Sequence, residues 1–189
     1  MTRDEILTAA AQIFSEKGFH AASMQDIAEA VNLQKASLYH HISSKQEILL
    51  AILDRALDLL IEDIEQVVEQ PFSPDEKLRL AMAVYLQDML EHRDLAVVLL
   101  LEHRSLEPQY HARHMLRRDR FEHLWREVIL QGAEQGTFHC ADASLASRYI
   151  LGVMNWAIIW YRPDGLLTPV EIADQFAVLF LEGLLVRKV

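Results

Sequence analysis

Ser23-Met24-Gln25-Asp26-Ile27-Ala28-Glu29-Ala30-Val31-Asn32-Leu33-Gln34-Lys35-Ala36-Ser37-Leu38-Tyr39-His40-His41 is the stretch that decides how this chain folds. Ser23 stands before a short apolar run, and Asp26 completes a Ser-x-x-Asp spacing. In that spacing hydroxyl and carboxylate each satisfy the other residue's backbone amide at a helix start. The helix that begins there ends near Ala30. Val31-Asn32-Leu33 separates it from a second short helix ending near His41. Asparagine tolerates the left-handed backbone that a tight helix–helix turn needs. Two short helices joined by three residues and preceded by a supporting helix make a helix-turn-helix unit. The second helix of such a unit fits the major groove of DNA.

Upstream, Ile6, Leu7, Ala10, Ile13 and Phe14 form one apolar stripe, which predicts the supporting helix over about Arg3 to Lys17, stopped by Gly18. Downstream, helical spacing resumes near Lys45 and lasts to Gln70, until Pro71 and Pro74 break it. Further helices are predicted over Asp75 to about Glu91, near Leu95 to Leu101, from Pro108 to Gly136, and from Asp142 to Tyr161. The Asp142–Tyr161 segment is apolar on most faces and is expected to be buried on most sides. Thr168-Pro169 opens a last helix ending near Val186. With six glycines, five prolines and no strand-period alternation between turn residues, the chain is expected to be all-α, with about nine helices. Residues 1–47 are the expected helix-turn-helix domain, continuous with a helical domain over 48–189.

A length of 189 residues suffices for one sizeable domain or two that share a core. An apolar fraction of 51% and a charged fraction of 24% describe a globular chain. The lone cysteine, Cys140, excludes a disulfide framework and a cysteine-rich zinc site. No apolar run reaches membrane-spanning length, and the first residues lack signal-peptide shape, so a cytoplasmic protein without a membrane partner is expected. A net charge of −10 argues against a generic polybasic coat for nucleic acid. The local balance is the opposite. No acid occurs between Ala30 and Gln46, whereas Lys35, His40, His41 and Lys45 do, and small Ala36 permits close approach to a duplex.

Ile6 through Phe19, Ser23 through Ala28, Leu38-Tyr39-His40-His41-Ile42 and Ser44-Lys45-Gln46-Glu47 together resemble the DNA-binding domain of the tetracycline-repressor (TetR) family of bacterial regulators. The resemblance covers about the first quarter of the chain. Asn32 stands where the family's turn glycine is usual, and Ile42 where an aromatic is usual. It implies that Ser23 caps and also touches a phosphate. It implies that Gln34, Lys35, Ser37 and His40 face base edges or adjacent phosphates, that Tyr39 hydrogen-bonds a phosphate, and that Lys45 pairs with a phosphate. Arg3 adds a backbone contact. The partner is then double-stranded operator DNA with half-sites about 34–36 Å apart.

The family resemblance also implies a C-terminal ligand and dimerisation domain, with a homodimer formed through the last two helices. Tyr149, Ile150, Val153, Met154, Ala157 and Ile158 are the expected face of one, and Ile172, Phe176, Leu179, Phe180, Gly183 and Leu184 that of the other. The run Asn155 to Pro163, with the charged segment Arg117 to Arg126, resembles the subgroup that responds to acyl-coenzyme A thioesters. Expected effector contacts are Leu99, Trp125, Met154, Trp156 and Trp160 for an apolar chain, with Arg104 and Arg162 for phosphates. Arg117, Arg118 and Arg120 are further candidates, or a solvated face. The alternative classes are a helical enzyme or a protein-interaction module retaining the N-terminal fold. No catalytic constellation, cofactor or metal site is expected. His111 and His114 have ligand spacing, but with His103 they read as a solvated helix surface.

Overall fold

A computed structural model describes residues 2–184. It is helical throughout those residues, without strands. We number its α-helices α1 (Arg3–Lys17), α2 (Met24–Ala30), α3 (Lys35–His41), α4 (Lys45–Val68), α5 (Pro74–Glu91), α6 (Arg93–Val97), α7 (Pro108–Glu134), α8 (Ala143–Asn155), α9 (Ala157–Trp160) and α10 (Pro169–Leu184). A wide π turn, Val98–Glu102, and a 3-10 turn, His103–Ser105, follow α6.

Helix starts obey the hydroxyl-carboxylate rule. Thr2 and Glu5 form a capping box at α1, and Ser23 and Asp26 form one at α2. Thr168 and Glu171 exchange the same pair of bonds at α10. Glu47 N–H donates to Ser44 Oγ at 3.0 Å, while the Glu47 carboxylate accepts from Ser43 N–H at 3.1 Å. The Ser44-x-x-Glu47 spacing carries that signal in the sequence.

The chain packs as two compact units. One holds the residues up to Asp58 and His92–Arg117; the other holds Leu59–Glu91 and the residues from Arg118 on. This division by packing is a separate matter from the expected functional boundary after residue 47, which lies inside α4. The first unit closes on Ile6, Phe14, Ile27, Leu38, Ile42, Ile48, Leu49, Ile52, Leu53 and Val98. Each such side chain, fully buried, stabilises the unit by about 1.5–3 kcal/mol. In the second unit α5 lies along α10, and Tyr85, Trp125, Met154, Ala173 and Ala177 are buried.

Three expectations change. The predicted helix over Asp142–Tyr161 is broken at Trp156 into α8 and α9. Its burial on most sides is not supplied within the chain, since Leu145, Tyr149, Trp156 and Ile159 are exposed. The helix expected near Leu95 to Leu101 keeps α geometry only through Val97. The predicted end at Val186 lies outside the described residues, as do the side chains of Gly183 and Leu184.

Candidate nucleic-acid interface

The turn between α2 and α3 is built by backbone bonds. Leu33 N–H donates to Ala28 C=O at 2.8 Å and Asn32 N–H to Glu29 C=O at 3.1 Å. This is the pattern of a helix closed by a left-handed residue. Asn32 is that residue, with φ of 54°. Among the described residues Leu38 is the one α3 side chain in the core. Gln34, Lys35, Ala36, Tyr39 and His40 are exposed, and Ser37 is half-buried. The helix is therefore held by one apolar anchor and turns the remainder of its short surface outward.

The flanking residues are more engaged with their own chain. Ser23 Oγ accepts from Asp26 N–H at 3.1 Å and donates to Asp26 Oδ2 at 2.5 Å. Lys17 Nζ lies 2.7 Å from Asp26 Oδ1. The Lys17 ammonium first, then the Ser23 hydroxyl and amide, hold the Asp26 carboxyl well below the usual carboxylate range. Lys45 Nζ donates to Phe19 C=O at 2.8 Å and Ala22 C=O at 2.7 Å, and sits 4.4 Å from the Phe19 ring centre. An ammonium has three donors, so one is left over. Arg3 lies 3.6 Å from Glu47 Oε1. The Ser43 hydroxyl, then its amide, then the Arg3 charge lower the Glu47 pKa.

Sequence reasoning missed Gln46. Its Nε2 donates to Ser105 C=O at 2.8 Å, and its Oε1 accepts from Glu107 N–H at 3.0 Å. The first turn of α4 is thereby clasped to the segment that enters α7. No local spacing announces a bond between residues so far apart in the chain.

The residues expected to meet an effector fall in both packed units. Leu99 is half-buried against the core of the first unit, where Arg104 is exposed. In the second unit Trp125 is buried against Tyr85 and Phe121, with ring centres 5.6 and 6.3 Å away. Its Nε1–H meets no acceptor among the described residues. Tyr85 donates to Asn155 Oδ1, and burial pushes its phenol pKa up. Met154 is fully buried and Arg162 exposed. Trp156 and Trp160 line an open hollow with Arg148, Tyr149, Gly152, Val153 and Phe176.

The other arginines are ion-paired. Arg117 pairs with Asp54 and Asp58, Arg118 with Glu122, and Arg120 with Glu65. His114 is a correction to the surface reading: it is buried and stacked on His103, with ring centres 6.1 Å apart. Among the described residues no cluster of three or more His, Cys, Asp or Glu is placed to hold a metal ion. Also among them, no helix is long and apolar enough to cross a membrane. The expected dimer faces need correcting too. Ile150, Met154, Ala157, Ile158, Ile172 and Phe180 are core, while Tyr149 and Leu179 are exposed.

Known proteins share this arrangement. Residues 6–52 match the family described as bacterial regulatory proteins, tetR family. Residues 71–184 match the tetracyclin repressor-like C-terminal domain. The HTH-type transcriptional repressor KstR2 of Mycobacterium tuberculosis is 32% identical over 186 residues, covering 96% of this chain and 92% of that protein. The TetR family transcriptional regulator PfmR from Thermus thermophilus is 40% identical with a TM-score of 0.88, covering 96% of this chain and all of that one. AibR, solved with isovaleryl coenzyme A and operator DNA, is 31% identical with a TM-score of 0.85, covering 94% and 96%. Head and body both match over nearly their whole length, and the chain therefore belongs to the tetR family of bacterial DNA-binding transcriptional regulators.

Proposed function

We propose that this protein is a homodimeric repressor that leaves a near-palindromic operator when it binds an acyl-coenzyme A thioester. The observation that carries the reading is α3. Leu38 anchors it from beneath, and Gln34, Lys35, Ser37, Tyr39 and His40 are left free of the core to meet base edges and phosphates. Ser23, Arg3 and the remaining donor of Lys45 add phosphate contacts. Lys45 does so as part of the clasp that shapes the head, so its role is double.

The thioester class is supported by AibR, whose structure holds isovaleryl coenzyme A. Trp125, whose unanswered N–H calls for an acceptor such as the thioester carbonyl, and apolar Met154 are the side chains we assign to the effector's acyl end. Arg162, exposed in the same packed unit, is assigned to its phosphates. Trp156 and Trp160 are reassigned to subunit contact, because they stand on an outer face with Tyr149 and Phe176. Effector binding favours a state whose two recognition helices no longer match the half-site spacing, which requires differential affinity for the two states. The protein acts in the cytoplasm, and we assign it no catalytic reaction.

The test is fluorescence anisotropy on DNA from upstream of its own gene, with salt varied and a panel of acyl-coenzyme A thioesters added against free coenzyme A. Expected are tight binding that weakens with a log–log salt slope of about −0.9 per neutralised phosphate, and release by one thioester. Binding that no thioester disturbs removes the effector class and keeps the regulator. Absence of any specific operator in an unbiased genomic selection removes the regulator.

A further inference from the structure

We propose that Glu47 is a positioning residue for operator binding: it holds the Arg3 guanidinium beside the start of α4 and keeps the Ser44 amide open next to it. The inference rests on the phosphate contacts proposed above. Among the described residues, five helices begin with a hydroxyl residue followed three places on by an acid. In four of them the carboxylate returns to the amide of the capping residue itself. Glu5 returns to Thr2, Asp26 to Ser23, Glu76 to Ser73 and Glu171 to Thr168, at 2.7 to 2.9 Å. Glu47 departs from them by one residue. Its N–H donates to the capping Ser44 hydroxyl in the ordinary way, at 3.0 Å. Its carboxylate instead accepts from the N–H and the hydroxyl of Ser43, outside the cap.

The displacement has two consequences. The Glu47 carboxylate reaches past its own cap, and its other oxygen, Oε1, lies 3.6 Å from Arg3 in the first turn of α1. Glu47 is the one ion-pair partner of Arg3 among the described residues, and the Arg3 side chain is 53% exposed. The Ser44 amide, which an ordinary capping box consumes, donates to no acceptor among the described residues. A guanidinium and an open amide at a helix start are both phosphate donors. They stand where α3 passes into α4, next to the remaining donor of Lys45.

Charge alone predicts the opposite role. An acid beside a DNA-binding surface repels phosphates, so its removal tightens binding. Here the carboxylate is already engaged, by Ser43 through one oxygen and by Arg3 through the other. The bonds from Ser43, then the Arg3 charge, favour its ionised form. An exposed ion pair contributes little to stability, so the consequence of losing it is read in where Arg3 points rather than in the fold.

Fluorescence anisotropy on DNA from upstream of the protein's own gene tests the assignment, with salt varied and melting temperature followed alongside. Glu47→Gln keeps an acceptor for Ser43 and drops the charge that holds Arg3. It is expected to weaken binding about two- to fivefold and to flatten the log–log salt slope by about 0.9, the share of one phosphate. Its melting temperature is expected to stay within a few degrees of wild type. Glu47→Asp keeps the charge, but its shorter arm closes the ordinary box on Ser44, as Asp26 does on Ser23. It too is expected to keep the fold and lose affinity. Arg3→Ala is expected to match Glu47→Gln, and the double variant to bind no more weakly than Arg3→Ala alone, as residues acting through one another require. Tighter or unchanged binding by either Glu47 variant, or full additivity in the double variant, overturns the positioning role and leaves the phosphate contacts standing. Arg3→Ala with wild-type affinity and salt slope overturns the Arg3 contact and the positioning role together.

Discussion

Lys45 shows how a residue identified by family resemblance acquires a second physical meaning in the fold. Its ammonium ties the Phe19 and Ala22 carbonyls and covers the Phe19 ring. Charged hydrogen bonds contribute about 1.5–3 kcal/mol each. Lys45→Ala is therefore expected to destabilise the protein by about 3 kcal/mol or more, read by denaturant unfolding, in addition to weakening DNA binding. Tyr39→Phe is expected to leave unfolding unchanged and to weaken operator binding, which separates the two roles by two instruments. Asp88 makes a different residue-level prediction. Burial first, then the hydrogen bond and charge of Asp63, push its carboxyl up to about 7. In the unfolded chain an aspartate titrates near 3.9. Between those values the folded state holds the extra proton, so stability falls as pH rises from about 4 to about 7 and is level above. Asp88→Asn is expected to remove that decline from a plot of unfolding free energy against pH. None of this is legible in the sequence, because burial and the company of Asp63 arise only when α4 and α5 pack.

At the scale of the element, helix starts are the most readable feature. Ser23-x-x-Asp26 is legible from spacing and is present with both reciprocal bonds. Ser73 and Thr168 head helices in the same way, and the accepted bonds lower the pKa of Glu76 and Glu171. The stability these carboxylates supply is present above the ordinary carboxylate range and is lost as pH falls through their lowered values. Loss of helical signal on acidification is thus expected to set in below about pH 4, followed by circular dichroism. Glycines are less readable. Gly136, with φ of 72°, is the helix stop its position announces. Gly132 is required by Phe138, which folds back over it, and no period in the sequence encodes that return. Gly132→Ala is expected to cost about 1–3 kcal/mol through overpacking, more than Gly136→Ala, in paired thermal melts.

Over the whole molecule, net charge and function point in opposite directions. The chain carries −10, yet the segment from Ala30 to Gln46 holds no acid. Operator binding is expected to depend on that local stretch, and competition with bulk non-specific DNA is expected to be weak even at low salt. Electrophoretic competition measures it. Fold class and the location of the head are legible because both rest on local periodicity and caps. The effector site is not. Its expected residues share a chemical type, and the fold distributes them between two packed units. The expected dimer faces rest on apolarity alone, which does not tell a side chain facing its own core from one facing another subunit.

The π turn at Val98–Glu102 acts as a spacer of fixed length. A π turn holds one residue more than an α turn, so the length of this segment sets the register of everything that follows it. Val98 stays buried at its near end, while Ser105 and Glu107 beyond it reach Gln46. Each residue of an α-helix advances the chain 1.5 Å and turns it by about 100°. Deleting exposed Leu101 would straighten the segment and carry both partners of Gln46 out of register. Loss of that residue is therefore expected to break both Gln46 bonds, leaving the Arg113 and Arg117 pairs with Asp54 to hold α4 against α7.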